Sequence, residues 1–169
     1  VGMKHVSRKE IMDYVTYEDQ RSEVRENIMK IKEVRRINVG GVLSFLFENK
    51  DTVCYQIQEM MRAERMVHDH QIQEEIDVYN SLLPLENGLS ATLFIEVTDE
   101  AQIRPVLNQF IGMTEGERVY FEFKDYKVCA EFETGREESD KISSVHYIQF
   151  NFDPSAKAAF LENPESVML

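Results

Sequence analysis

Cysteine, glycine and positive charge are scarce in this chain, and each scarcity closes off a class of protein. Two cysteines, Cys54 and Cys129, stand far apart in 169 residues and in no C-x-x-C pair. That is too few for a disulfide scaffold or a structural zinc site, so reduced thiols in a cytoplasmic protein are the expectation. The seven glycines make no Gly-rich phosphate loop, and no nucleophile elbow or internal repeat is present. No apolar run approaches the length needed to cross a bilayer, and the N-terminus carries no apolar leader core, so no membrane association is expected. Val1-Gly2 ahead of Met3 reads as a processing remnant. Lys and Arg number 19 against 31 Asp and Glu, a net charge of −12 at pH 7. Such a field repels phosphate backbones, and nucleic acid is not expected as a partner.

What is present is enough apolar material for a sizeable core, at 43% of residues, in a length that suits one domain. Ser7-Arg-Lys-Glu10 is a capping box opening a short helix to about Val15. Thr16 and Asp19 repeat the signal for a helix over 17–36, with Tyr17, Val24, Ile28 and Ile31 on one stripe and Lys30, Lys32, Arg35 and Arg36 near its end. Residues 37–47 read as β structure, with Gly40-Gly41 as a two-residue hairpin turn. Asn49 or Asp51 caps a helix over 52–68, and a further helix covers 71–80. The second half changes period. Strands are expected over 89–97, 119–123, 128–132 and 145–152, and Gly135 to Lys141 is a polar loop. A helix capped by Asp99 runs to Gly112 with Pro105 awkwardly inside it, and Asp153-Pro154 opens a closing helix. The pattern predicts a single α+β domain over residues 1–169. Its helix-rich half, residues 1–85, packs on a mainly antiparallel sheet of about five strands, residues 86–169 being the sheet-rich half, and the two halves share one core.

The segment from Leu43 to Arg65 carries the strongest functional signal. An apolar strand runs into a capped helix whose inner face is expected to hold Gln56 and Glu59 among Ile57, Met60 and Met61. Polar groups beside a packed face are costly unless paired, so they build either a network or a site. Gln56, Glu59, Arg62 and Arg65 follow at steps of three along one ridge, and Glu64 lies nearer the apolar stripe. Glu48 and Asn49 stand where the first N–H groups of the helix are exposed, a place that can hold an anion. The alternative is that the charges pair among themselves and Asn49 is only a cap.

Three weaker patterns stand beside it. Glu64, His68, His70 and Glu74 fall at i, i+4 spacing suited to metal ligands on facing helices, against the reading of solvated turn histidines. Glu122-Phe-Lys124 matches half of a metal-dependent nuclease site, a match that alternating strands produce by chance. Cys54, in the first turn of a helix, is either a dipole-stabilised thiolate or a small apolar filler.

The blocks Arg35-Arg-Ile-Asn-Val-Gly40, Phe47-Glu-Asn-Lys-Asp-Thr52, Tyr55-Gln-Ile-Gln-Glu-Met60, Arg62-Ala-Glu-Arg65, Tyr79-Asn80 and Leu89-Ser-Ala-Thr92 resemble a bacterial family of domain-of-unknown-function proteins. Members of that family are often encoded beside rubrerythrin-like proteins and iron–sulfur subunits of the heterodisulfide-reductase type. The resemblance implies an association with redox chemistry. It also implies that Glu48, Asn49, Thr52, Gln56, Glu59, Arg62 and Glu64 belong to the family signature, whereas His68 and His70 do not. The leading expectation is a cytoplasmic accessory protein of a redox or iron–sulfur system, with no cofactor of its own, docking rubrerythrin-like or iron–sulfur electron-transfer proteins. The alternatives are a metal-binding protein or enzyme using Glu48, Glu59, Glu64 and His68, and a homodimer in which the helix packs on its twin.

Overall fold

The computed structural model describes residues 5–133, 137–138, 141–142 and 144–169, and in them the first half is mainly helical and the second mainly strands, with one hairpin of the first half joining the sheet. The Ser7 N–H donates to Glu10 Oε2 at 2.7 Å, but this capping box closes only one 3-10 turn, Arg8–Glu10. The expected helix to Val15 gives way because Asp13 caps a helix of its own, accepting from the Thr16 N–H at 3.0 Å. That helix, α1, is Tyr14–Glu33, so Thr16 lies inside it rather than capping it. Tyr17 and Ile28 of the expected stripe are buried, with Val24 and Ile31 half-buried beside them.

Helix α2 is Lys50–Ala63 and helix α3 is Asp69–Asn80. The former ends before the expected residue 68 because Arg65 adopts a left-handed φ of 51° and the Met66 N–H donates back to Met61 O at 2.9 Å. This is a Schellman-type stop, and it takes Arg65 off the ridge. Val53, Ile57 and Met61 of α2 pack against Tyr17 of α1 and against Ile72 and Ile76 of α3, in a cluster confined to the helical half.

The strands are β1 (Arg36–Val39), β2 (Leu43–Phe47), β3 (Gly88–Ile95), β4 (Tyr120–Phe123), β5 (Tyr126–Phe132), β6 (Glu137–Glu138), β7 (Lys141–Ile142) and β8 (Val145–Asn151). Six of them form one sheet in the order β1-β2-β3-β8-β5-β4, antiparallel throughout, while β6 and β7 make a separate two-residue ribbon. The polar loop expected over 135–141 lies largely outside the described residues. The β1–β2 connection is one residue longer than the two-glycine turn: Val39 pairs with Leu43, leaving Gly40, Gly41 and Val42, with Gly40 at φ 63°. Glycine reaches that conformation without steric penalty.

A 3-10 turn, Glu100–Gln102, separates the Asp99 cap from helix α4, Ile103–Asn108. Pro105 therefore falls in the first turn of α4, where its missing N–H has no partner to lose, which removes the conflict posed by the sequence. The expected extension to Gly112 is absent: α4 stops at Asn108, and Gly112 lies beyond it with a positive φ of 88°. Helix α5, Pro154–Glu162, starts as the Asp-Pro pair predicts, with Asp153 accepting from the Ala156 N–H at 2.7 Å.

The sheet curls on itself: Val39 and Leu43 at one end and Tyr120 and Met168 at the other line a common cavity. Met168 and Glu122 exchange backbone hydrogen bonds of 2.8 and 2.9 Å, so the C-terminal residues cover part of the β4 edge. Strand β8 alternates strictly. Ile148 and Phe150 enter the concave face, where Phe150 meets Phe121 at 4.6 Å between ring centroids, while Tyr147 and Gln149 take the other face. That other face, turned toward α1–α3, carries the buried polar side chains Ser44, Ser90 and Thr92. A sheet face lying under helices is ordinarily apolar, and this departure positions the candidate site. Among the described residues no helix is long and apolar enough to cross a membrane.

Candidate functional site

The site begins at the junction of β2 and α2. Asn49 accepts from the Thr52 N–H through its side chain at 2.9 Å, and its own N–H donates to Thr52 Oγ1 at 2.9 Å, so the two residues cap the helix reciprocally. Arg35 clamps the same corner, donating to Phe47 O at 2.6 Å and Glu48 O at 3.1 Å. Held this way, the Glu48 carboxylate turns toward the sheet and accepts from the hydroxyls of Thr52 and of Thr92, the latter at 2.8 Å. Asn49→Ala is expected to cost about 1 kcal/mol in a urea titration, the usual value of an N-cap. A change below the measurement error would mean that Arg35 and Thr52 alone hold the corner.

Glu48 stands at the boundary of two cavities. The first, of about 250 Å³, lies between the outer face of the sheet and α1–α3, and is lined by Lys32, Thr52, Gln56, Tyr79, Thr92 and Tyr147 among others. The second, of about 270 Å³, shares Glu48, Leu82 and Tyr147 with it and adds Ser81, Glu131, Glu133 and Gln149. Lys32 reaches in from α1 with its ammonium 4.8 Å from the Tyr55 ring centroid. Burial pushes its amine below the ordinary lysine value, with the positive charge of Arg36 acting in the same direction and the carboxylate of Glu48 opposing. Behind it Arg36 donates to Ser44 Oγ at 3.1 Å and lies 5.5 Å from the Phe94 ring centroid. One lining group of the second cavity is incompletely bonded among the described residues: the half-buried Gln149 has an enclosed Oε1 with no hydrogen-bond partner. Ser90, paired with Gln149 across the strands and only 3% exposed, has a hydroxyl that also lacks a partner among the described residues. Native interiors leave few such atoms.

Of the sequence-predicted residues, Glu48, Thr52 and Gln56 line this cleft and Asn49 positions it. The others lie elsewhere. Gln56 is exposed at the cleft mouth rather than on the packed face; the buried glutamine is Gln58, 3% exposed, whose amide accepts from the Met12 N–H at 2.6 Å and donates to Met12 O at 3.2 Å. Glu59 is saturated by Arg21 (2.8 and 2.9 Å), Tyr17 (2.8 Å) and Tyr55 (3.1 Å). Arg21 above all holds its carboxyl down at about 2, and burial beside that carboxylate drives the Tyr17 phenol up. Arg62 pairs with Glu18, and Glu64 is an exposed C-cap. His68 and His70 stack at 5.8 Å as exposed residues at the start of α3, and Glu74 is exposed on the same helix. Among the described residues no three His, Cys, Asp or Glu side chains group so as to hold a metal ion. Burial, with Glu10 adding to it, raises the Cys54 thiol, against a dipole-stabilised thiolate. Lys124 occupies the β4–β5 turn at φ 49°, off the strand that the nuclease pattern requires.

Sequence reasoning misses Lys32, Tyr147, Gln149 and the two acidic residues Glu131 and Glu133. The helix dipole alone is enough to account for Lys32 in the sequence. The available signal is β8 itself, where Tyr147 and Gln149 alternate with core residues on a central strand covered on both faces.

Over residues 5–169 the chain matches the model of a family described as a protein of unknown function, DUF3501. A crystal structure of a novel protein of unknown function from Burkholderia pseudomallei K96243 superposes with a TM-score of 0.85 at 29% identity, covering 95% of this chain and 83% of that one. No curated protein matches this chain.

Proposed function

The chain belongs to this DUF3501 family of unknown function, and from that premise we propose that it is a small-molecule-binding protein whose site is the cleft around Glu48. The observation carrying the reading is the fixed carboxylate of Glu48, oriented by two threonine hydroxyls, facing a desolvated Lys32 across a cavity of about 250 Å³. A packed helix–sheet interface has no need of opposite charges in a void, since burying them is costly. A ligand that completes their hydrogen bonds offsets that cost. The volume falls below the roughly 300–1,000 Å³ of drug-sized sites, which fits a small metabolite.

A fragment screen by protein NMR tests this. Polar fragments are expected to shift the backbone resonances of Thr52, Thr92 and Tyr147, and Glu48→Gln or Lys32→Met is expected to abolish the shifts. Lys32→Met should leave the melting temperature nearly unchanged, because the lost cation–π contact is offset by relief of a buried charge. Shifts scattered elsewhere, with these three residues silent, would sink the reading.

The redox reading is a second proposal, resting on the family resemblance. The observation favouring it is the exposed apolar pair Val34 and Ile37 at an open groove of about 740 Å³ beside β1 and the C-terminal residues. In it the protein is a cytoplasmic accessory factor that docks rubrerythrin-like or iron–sulfur proteins there. Pull-down with those partners should lose the complex on Val34→Glu; capture unaffected by that change removes the groove from the proposal.

A further inference from the structure

The two cavities differ in charge, and that difference names a ligand class for the cleft proposed above, on whose existence this inference rests. One end of the cleft holds Lys32 in the cavity, with Arg36 close enough to act on it. The other end holds three carboxylates, Glu48, Glu131 and Glu133, around a cavity of about 270 Å³. Acidic side chains alone would be a solvated rim, but Gln149, which lines the same cavity, supplies an independent sign. Strand register places Ser90 opposite Gln149 and Gln149 opposite Glu131, and the Glu48 N–H donates to Ser90 O at 2.9 Å, so Glu48, Ser90, Gln149 and Glu131 form one row across four strands. Two members of that row carry buried oxygens with no partner among the described residues, Ser90 Oγ and Gln149 Oε1, and Gln149 lines the cavity itself. Gln149 offers only an acceptor there, and what it lacks is a donor. A carboxylate row with an orphaned acceptor in its middle is complementary to an ammonium group, which brings several N–H donors and the opposite charge.

We infer that the cleft binds a small ω-amino acid, its carboxylate directed to Lys32 and its ammonium group to the Glu48, Glu131 and Gln149 row. The shared wall of Leu82 and Tyr147 supplies an apolar and aromatic surface for the methylene chain between the two charges. A purely cationic polyamine would set one of its charges against Lys32, and a simple fatty acid would leave the carboxylate row unanswered. The zwitterion satisfies both ends.

Isothermal titration of the full chain with ε-aminocaproate, hexanoate and hexylamine tests the assignment. The expected result is that ε-aminocaproate binds at least about tenfold tighter than either singly charged probe. Glu131→Gln, at an exposed position where folding is not at stake, should weaken ε-aminocaproate and hexylamine about tenfold and leave hexanoate unchanged. Lys32→Met should weaken ε-aminocaproate and hexanoate and leave hexylamine unchanged. Equal affinity for all three probes, or failure of all three to saturate, would overturn the inference. Fragments that shift Thr92 and Tyr147 while the three probes are silent would remove the ligand class and leave the cleft. Silence of fragments and probes together would remove both.

Discussion

Phe150→Ala is expected to destabilise the protein by about 4 kcal/mol, the largest effect of any single truncation in the sheet. Phe150 is fully buried in the concave face of the curled sheet, on the central strand β8. Its ring lies 4.6 Å from that of Phe121 and 6.4 Å from that of Phe47, so it ties β4, β8 and β2 together across the curl. Removing it deletes apolar burial and leaves a cavity that the surrounding hydrogen-bonded strands hold open, adding a void term to the transfer term. Urea titration reads the loss as a lower midpoint at unchanged slope. Phe150→Leu, which keeps most of the volume, should lose less than half as much. A loss below about 1.5 kcal/mol for alanine would mean that the curl closes over the space left and that the ring contacts hold little.

The second large effect is expected at Glu59. Glu59→Ala should lower stability by about 2–3 kcal/mol, less than a fully buried ion pair because Arg21 and Glu59 keep some solvent contact. The loss comes from what remains: the Arg21 guanidinium and the hydroxyls of Tyr17 and Tyr55 are left facing a space that no longer accepts hydrogen bonds. Tyr17 is the most constrained of them, being 0% exposed. The same network gives an acid signature. The Glu59 carboxyl is held at about 2, below the ordinary 4.5. A folded-state value below the unfolded one contributes stability that is fully present above about pH 5 and lost as pH falls through 4.5 toward 2. Glu59→Gln should therefore flatten the acid limb of the stability–pH curve between those values. An acid limb identical to that of the parent protein would show that the carboxylate is not the coupled group.

The signature segment mixes two roles that its sequence could not separate. Gln56, Glu59 and Arg62 sit at steps of three, but such a ridge winds round α2, so its members meet different neighbours. Gln56 reaches the cleft mouth, Glu59 turns to α1, and Arg62 meets Glu18. Which neighbour waits at each turn is decided by how α1 crosses α2, and no local pattern encodes that crossing. Gln58 shows the same limit from the other side. Its burial follows from the extended stretch around Met12, which arises because Asp13 captures the cap that Thr16 was expected to provide.

Features that depend on near neighbours are readable from the chain alone: the α+β class, the cap at Asp153, a helix start at Asn49 or Asp51, the strand that becomes β8, and the corner at Glu48 where a strand hands over to a helix. Each is set by backbone hydrogen bonds and side-chain periodicity within a few residues. The cleft is a product of long-range packing. Lys32, Glu48, Thr92, Glu131 and Tyr147 come from five separate stretches of the chain, and their meeting depends on strand order β2-β3-β8-β5 and on three helices lying over the polar face of the sheet. Contacts so distant in sequence are fixed by packing of the whole, so the charge pattern that suggests a ligand was legible only once the sheet had curled and the helices had covered it.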